Sequence, residues 1–411
     1  MLIGDTRSGM VQMIKRRFWL LAAGLSLVVA VVGLALPASA ANASFPNVVP
    51  AVGAAPASPP AVPTPTATVS PNASGYATCS GDKGPLYTIS FSDRFHECFL
   101  TRLGVINYEC RRNVCVKVGG FSLQWEVLGT GRNNKQVMDY TVKSFGLLSI
   151  SDVFPPFTSD KVTMGLACLN AASSACASSR AGGITDTEAG WLVPRTFGFQ
   201  FTTSAVGSGD KVPNARDAVN FHAAMAYLYL SGLRPHPAYY GPEAVFRGDA
   251  ASYVYRGGVI FPQVLETYRI SLSNARLAAV AAHIEAAYTS PGTGTVPPAT
   301  GKVIPGFAAT GKPLTRLYPA YDMNVYTANR RAAVAACVTY FGASYTDGGK
   351  QCDEFPFASS YQGASTVSGK WWYSVLPVPG AQNGYAGTNL GAWLTANRIL
   401  SGDPYWVEVT S

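Results

Sequence analysis

Cys352-Asp353-Glu354-Phe355-Pro356-Phe357, followed by Ala358-Ser359-Ser360-Tyr361-Gln362-Gly363, sets two adjacent carboxylates between a cysteine and a proline-aromatic turn. Neighbours on an extended chain point to opposite faces, so this pair offers one acid to solvent and a substrate and the other to the protein. Working outward, Trp372-Tyr373-Ser374-Val375-Leu376-Pro377-Val378 reads as a second strand. Gln382-Asn383-Gly384-Tyr385-Ala386-Gly387 reads as an Asn-Gly-rich turn, and the stretch around Leu390 to Leu400 as a helix. Gly402-Asp403-Pro404 is a further turn, shaped by Asp403. The order is strand, loop, strand, helix.

Upstream, Asn274 to Tyr288 is built from strong helix formers, and Asp322 to Tyr340 reads as a second helix leading through Cys337. A Pro-Gly-Thr-rich loop from Pro291 to Lys312 separates them. From Cys79 to about Gln263 the pattern changes to short aromatic and β-branched runs broken by Gly, Pro and Ser clusters. Leu86–Phe91, Val114–Val118, Phe121–Val127 and Thr196–Phe201 are examples, and together they predict an all-β domain. Alanine-rich Ala218 to Leu230 is the one stretch there that reads as a short helix. The chain is thus expected to be α+β, with boundaries at 79–265 for the β-rich domain and 266–411 for the second.

The first 40 residues read as an export signal: Lys15, Arg16 and Arg17 precede an uncharged run from Phe18 to Leu36 and an Ala38-Ser39-Ala40 cleavage site. A retained anchor is the other reading of a run this long, but Pro37 and the Ala-x-Ala site favour cleavage and no stable membrane span. Residues 41–78 are an uncharged Ala/Pro/Ser/Thr linker that has too little to bury. The formal charge of +8 drops by three on removal of the leader, leaving a mildly basic chain suited to a polyanionic partner. All eight cysteines follow the leader, which predicts disulfides in an exported chain. Their spacing favours local pairs, 79 with 98, 110 with 115, 168 with 176 and 337 with 352. Cys110-x4-Cys115 comes nearest to a zinc pattern and has no partner cluster.

The motif Cys-Asp-Glu-x-Pro, the Asn-Gly segment and the Arg398-Ile399-Leu400-x-Gly402-Asp403 ending, with Pro313-Leu314-Thr315-Arg316-Leu317 upstream, resemble the NucA/NucB family of secreted bacterial deoxyribonucleases. The resemblance covers about 266–411, with a core at about 313–411. It implies a small ββα-metal (His-Me finger-like) nuclease domain in which an aspartate takes the place of the usual histidine. It further implies Asp353 as general base, Asn383 as ligand of one divalent cation, Mg2+ or Mn2+, and DNA, or RNA, as the substrate. The histidine positions agree with a carboxylate base, since His96, His222, His236 and His283 all precede the last 128 residues, which hold the Cys-Asp-Glu motif and the Asn-Gly segment. Glu354 reads either as a second metal or water contact or as an acid held internally. Arg398 reads as a phosphate contact or a solvated helix charge, and Lys370, beside Trp371 and Trp372, as a nucleic-acid backbone contact. Gln382 departs from the family pattern, in which an acid commonly precedes the Asn. That departure leaves open a secreted binding or cell-surface protein with an inactive nuclease domain.

Overall fold

The computed structural model describes residues 27–32, 86, 89–111, 114–149, 161–170, 176–204, 216–230, 238–239, 244–255 and 257–411. The expected cleavage site at Ala40, the 41–78 linker and Cys79 lie outside these residues, whereas Leu27–Val32 of the apolar run forms a strand antiparallel to 104–109. Among the described residues no helix is long and apolar enough to cross a membrane.

Alternation in the first half produces two sheets. One orders Leu27–Val32, His96–Arg111, Val114–Gly131, Val137–Ser149, Arg195–Thr203 and Cys176–Ser178, with Ile89–Asp93 on its second strand. The other orders Gly258–Ile260, Ala244–Asp249, Val219–Leu230, Lys161–Asn170 and Ile184–Thr187, with Ala238–Tyr239 on Val219–Leu230. They share one core: Trp125, Tyr140 and Phe201 from the first meet Met164, Leu166 and Phe246 from the second. The Phe201 and Phe246 rings stack at 6.2 Å.

The helix expected over Ala218 to Leu230 is a strand, Val219–Leu230, paired on one side with Lys161–Asn170 and on the other with Ala244–Asp249. Its alternate residues Ala224, Ala226 and Leu228 fill the core between the sheets. Alanine's helix preference is a few tenths of a kcal/mol per residue and yields to two flanking ladders.

The second unit has its own core. Thr267–Ser271 pairs in parallel with Pro404–Thr410, which pairs antiparallel with Leu314–Thr315. Helix α1 (Ala278–Thr289) and helix α2 (Met323–Phe341) fall where the sequence placed them, and Asp322 caps α2 by accepting from the Val325 N–H. The strands Lys350–Phe355 and Ser374–Pro379 form an antiparallel hairpin that runs directly into helix α3 (Gly380–Ala396). α3 starts some ten residues before the expected helix, so the anticipated Asn-Gly turn is helical. Pro379 sits just ahead of its first turn, and Gly384, Gly387 and Gly391 have open space where a side chain would be. Tyr268, Ile284, Leu314, Phe355, Leu390 and Tyr405 close the interior between the α1 and α3 helices and both small sheets.

Candidate active site

The acidic pair lies in the hairpin strand Lys350–Phe355, and the strand's pleat splits it as the sequence anticipates. Neither acid stands open to solvent, however, because α1 covers one face and α2 the other. Asp353 turns towards α1, where the Nδ1 of His283 lies 2.7 Å from its Oδ2. The Nε2 of the same ring lies 2.7 Å from the Ser374 Oγ on the opposite strand of the hairpin. Oδ1 of Asp353 makes no hydrogen bond among the described residues, and the side chain keeps 7 % of its surface exposed.

Glu354 turns the other way, into an ion pair with Arg330 of α2, which also donates to the Cys352 carbonyl at 3.3 Å. Burial pushes its carboxyl up to about 7 despite the opposing pull of Arg330. Of the two roles open to Glu354, the ion pair with Arg330 is the internal one. Cys352 is bonded to Cys337, tying the strand to α2 one residue ahead of Asp353, and Cys168 is bonded to Cys176. Both pairs match the spacing argument. Cys98 is also disulfide-bonded, and Cys110 and Cys115 are backbone register partners on adjacent strands.

The first turn of α3 sits beside this strand. Asn383 Nδ2 donates to Gln351 Oε1 at 3.1 Å, so Asn383 is linked to the residue two positions before Asp353, on the same strand face. The Asn383 Oδ1 accepts nothing from the described residues. Gln382, standing where the family pattern has an acid, is engaged elsewhere, with its Oε1 accepting from the Ala279 N–H at 2.8 Å. α1 has no side-chain cap of its own, so Gln382 supplies one from α3.

Lys370 is exposed, with its ammonium 5.0 Å from the centre of the Trp371 ring, and Lys312 approaches the same ring at 4.6 Å. A cavity of about 130 Å³ opens here, lined by Lys312, Tyr361, Gln362, Trp371 and Trp372 among others. Two cations and three aromatic rings thus gather at this cavity, and no acid lines it.

Arg398 requires correction. It is neither a phosphate contact nor a solvated charge; it is completely buried against the β-rich half. Its guanidinium grips both oxygens of Asp249 and donates to the carbonyl of Asn133 at 2.6 Å. Gly258 permits this approach, since a Cβ there would come within 2.4 Å of the Arg398 Nε. Arg398 also adopts φ +48°, a left-handed backbone that costs a non-glycine residue about 1 kcal/mol and is held by these bonds. Asp403 shapes its turn by accepting from the Leu400 N–H, and it also receives Arg94 at 2.8 Å and Arg247 at 2.8 and 3.0 Å. Burial alone would raise its pKa, but the two arginines outweigh that and hold it below the usual carboxylate value. The motif that ends the second unit is therefore its attachment to the first.

His283, Arg330, Gln351 and Ser374 were not legible as site residues. For His283 a signal existed: Val280, Ile284 and Ala287 mark the buried face of α1, and position 283 falls on it by helical phase.

Residues 310–408 match the sequence model of the family Deoxyribonuclease NucA/NucB. That stretch holds the hairpin, α2, α3 and most of the final strand, and it constitutes a NucA/NucB nuclease domain; α1 lies outside it. No curated protein and no solved structure matches the chain.

Proposed function

We propose, with a NucA/NucB domain as the premise, that this chain is an exported, metal-dependent endonuclease that hydrolyses phosphodiester bonds of DNA, and of RNA by the same chemistry. The observation that carries the reading is the state of Asp353: one carboxylate oxygen is fixed by His283 and the other is unpartnered, on the strand face that leads to Asn383. The hairpin running straight into α3 supports a ββα-metal arrangement around that face. The leader, and cysteines joined in disulfides, support export.

In the proposed reaction Asp353 Oδ1 takes a proton from water as the water oxygen forms a bond to phosphorus. The bond from phosphorus to the leaving oxygen breaks with its electron pair, and that oxygen collects a proton from solvent. Asn383 fits one Mg2+ or Mn2+, because its Oδ1 is a hard, unpaired oxygen and Mg2+ keeps several waters besides its protein ligand. When bound, the cation supplies neutralisation of charge growing on the phosphate. Lys312 and Lys370 would steady the strand beside Trp371.

Incubation with plasmid DNA tests the reading. Cleavage that excess EDTA abolishes is expected, and cleavage undiminished by EDTA would discard the metal. Gln382→Glu keeps an acceptor for the Ala279 N–H and adds charge beside Asn383, so the metal concentration for half-maximal rate should fall. No cleavage of any nucleic acid by the wild-type chain would favour the binding-protein reading, which the use of Gln382 as a cap supports.

A further inference from the structure

We infer that His283, carried by a helix outside the matched nuclease segment, is the positioning residue for Asp353. The inference rests on Asp353 being the base.

A carboxylate only accepts hydrogen bonds, so the Nδ1 facing Asp353 Oδ2 carries the ring proton. Its Nε2 pairs with the Ser374 hydroxyl, which can donate to it or accept from it. Both nitrogens are thereby anchored, one to each strand of the hairpin, and His283 and Ser374 are buried. The ring fixes the plane of the carboxylate and fills Oδ2, which leaves Oδ1 to receive the proton from water. The Glu354–Arg330 ion pair lies behind the strand, and α3 presents the uncharged Gln382 and Asn383.

α1 is itself held in register with the site. Gln382 caps its first turn from α3, and His283 bonds the base one turn further on. One continuous connection therefore runs from the first turn of α3, where Asn383 sits, through α1 to Asp353. The matched segment supplies the base and the proposed metal ligand, and α1 supplies the spacing between them.

Two substitutions in the full chain separate positioning from packing. His283→Asn keeps an N–H where Nδ1 stands, whereas His283→Gln keeps only the reach towards Ser374. The Gln variant should lose about 10²-fold in kcat at unchanged KM, the cost expected of a base displaced by about 1 Å. The acid limb of its kcat/KM profile should move to higher pH, because a hydrogen bond to the charged carboxylate has gone. The Asn variant should recover at least about tenfold of that loss. Equal losses in both variants with an unmoved acid limb, or a wild-type kcat in the Gln variant, would overturn the inference. Should the histidine variants fail to fold, Ser374→Ala, which frees the ring to turn, carries the test: a smaller loss of kcat supports the inference and an unchanged kcat overturns it. Asp353→Asn is assayed alongside. Wild-type cleavage by that variant removes the base reading itself, whereas its inactivity together with a fully active His283→Gln removes only the role given to His283.

Discussion

The two ends of α3 hold buried carboxylates of opposite kinds. Past its C-terminal end, Asp403 has both oxygens filled by Arg94, Arg247 and the Leu400 N–H, and Asp249 has both filled by Arg398. Beside its N-terminal end, Asp353 has one oxygen filled by His283 and one left over. Burial is nearly the same in the three cases. On the proposed reading, what would distinguish a reactive carboxylate from the structural ones is the unpaired atom, because a half-bonded carboxylate keeps an oxygen with which to take a proton.

That contrast can be broken most severely by neutralising each acid in turn. Asp353→Asn should cut cleavage about 10²- to 10⁴-fold with folding intact, the usual share of general-base catalysis. Asp403→Asn should do the reverse, unfolding at much lower urea while the folded fraction turns over normally. Equal effects on rate would erase the distinction. Removing Arg398 should cost up to about 3–5 kcal/mol, because buried Asp249 loses both of its guanidinium hydrogen bonds and keeps only Arg247, at 3.9 Å. Chemical denaturation measures that loss, and KM for DNA in the folded variant should stay put; a raised KM would return Arg398 to the substrate surface.

Cleaving the Cys337–Cys352 link opens a loop worth about 3 kcal/mol through the unfolded chain. Cys337→Ser with Cys352→Ser should therefore lower activity at elevated temperature before the β-rich half melts, as near-UV and far-UV circular dichroism would separate. The smallest effect concerns Glu354. Its carboxyl is raised from 4.5 to about 7 on folding, so the folded state holds its proton more tightly than the unfolded chain. The associated stability is complete below about pH 4.5 and is lost as pH rises through about 7. Glu354→Gln should flatten that slope in melts between about pH 4 and 8; an unchanged slope would assign it to another group.

Local pattern accounts for what the sequence disclosed. Alternation placed the strands of the β-rich half, helix formers placed α1, the stretch from Asp322 to Tyr340 read as α2, and short spacing paired Cys168 with Cys176 and Cys337 with Cys352. The Asp353 and Glu354 split was legible because it needs only the pleat of one strand. Val219–Leu230 was misread because its partners, 161–170 and 244–249, lie far off in sequence, and the start of α3 because its glycines signal a turn. His283 and Arg398 were hidden for one shared reason. Each takes its role from a residue at long range, Asp353 seventy positions away and Asp249 149 positions away, and no window along the chain displays both members.

The parallel ladder between Thr267–Ser271 and Pro404–Thr410 sets a timetable. Parallel pairing across so long a separation must pay loop closure before contacts reward it, and such topologies fold slowly. A chain emerging through residue 396 already holds α1, the hairpin and α3, yet lacks Arg398, Asp403 and the central strand of the three-stranded sheet. The three-stranded sheet, and the attachment of the second unit through Arg398 and Asp403, therefore cannot close until the last fifteen residues of the chain are available.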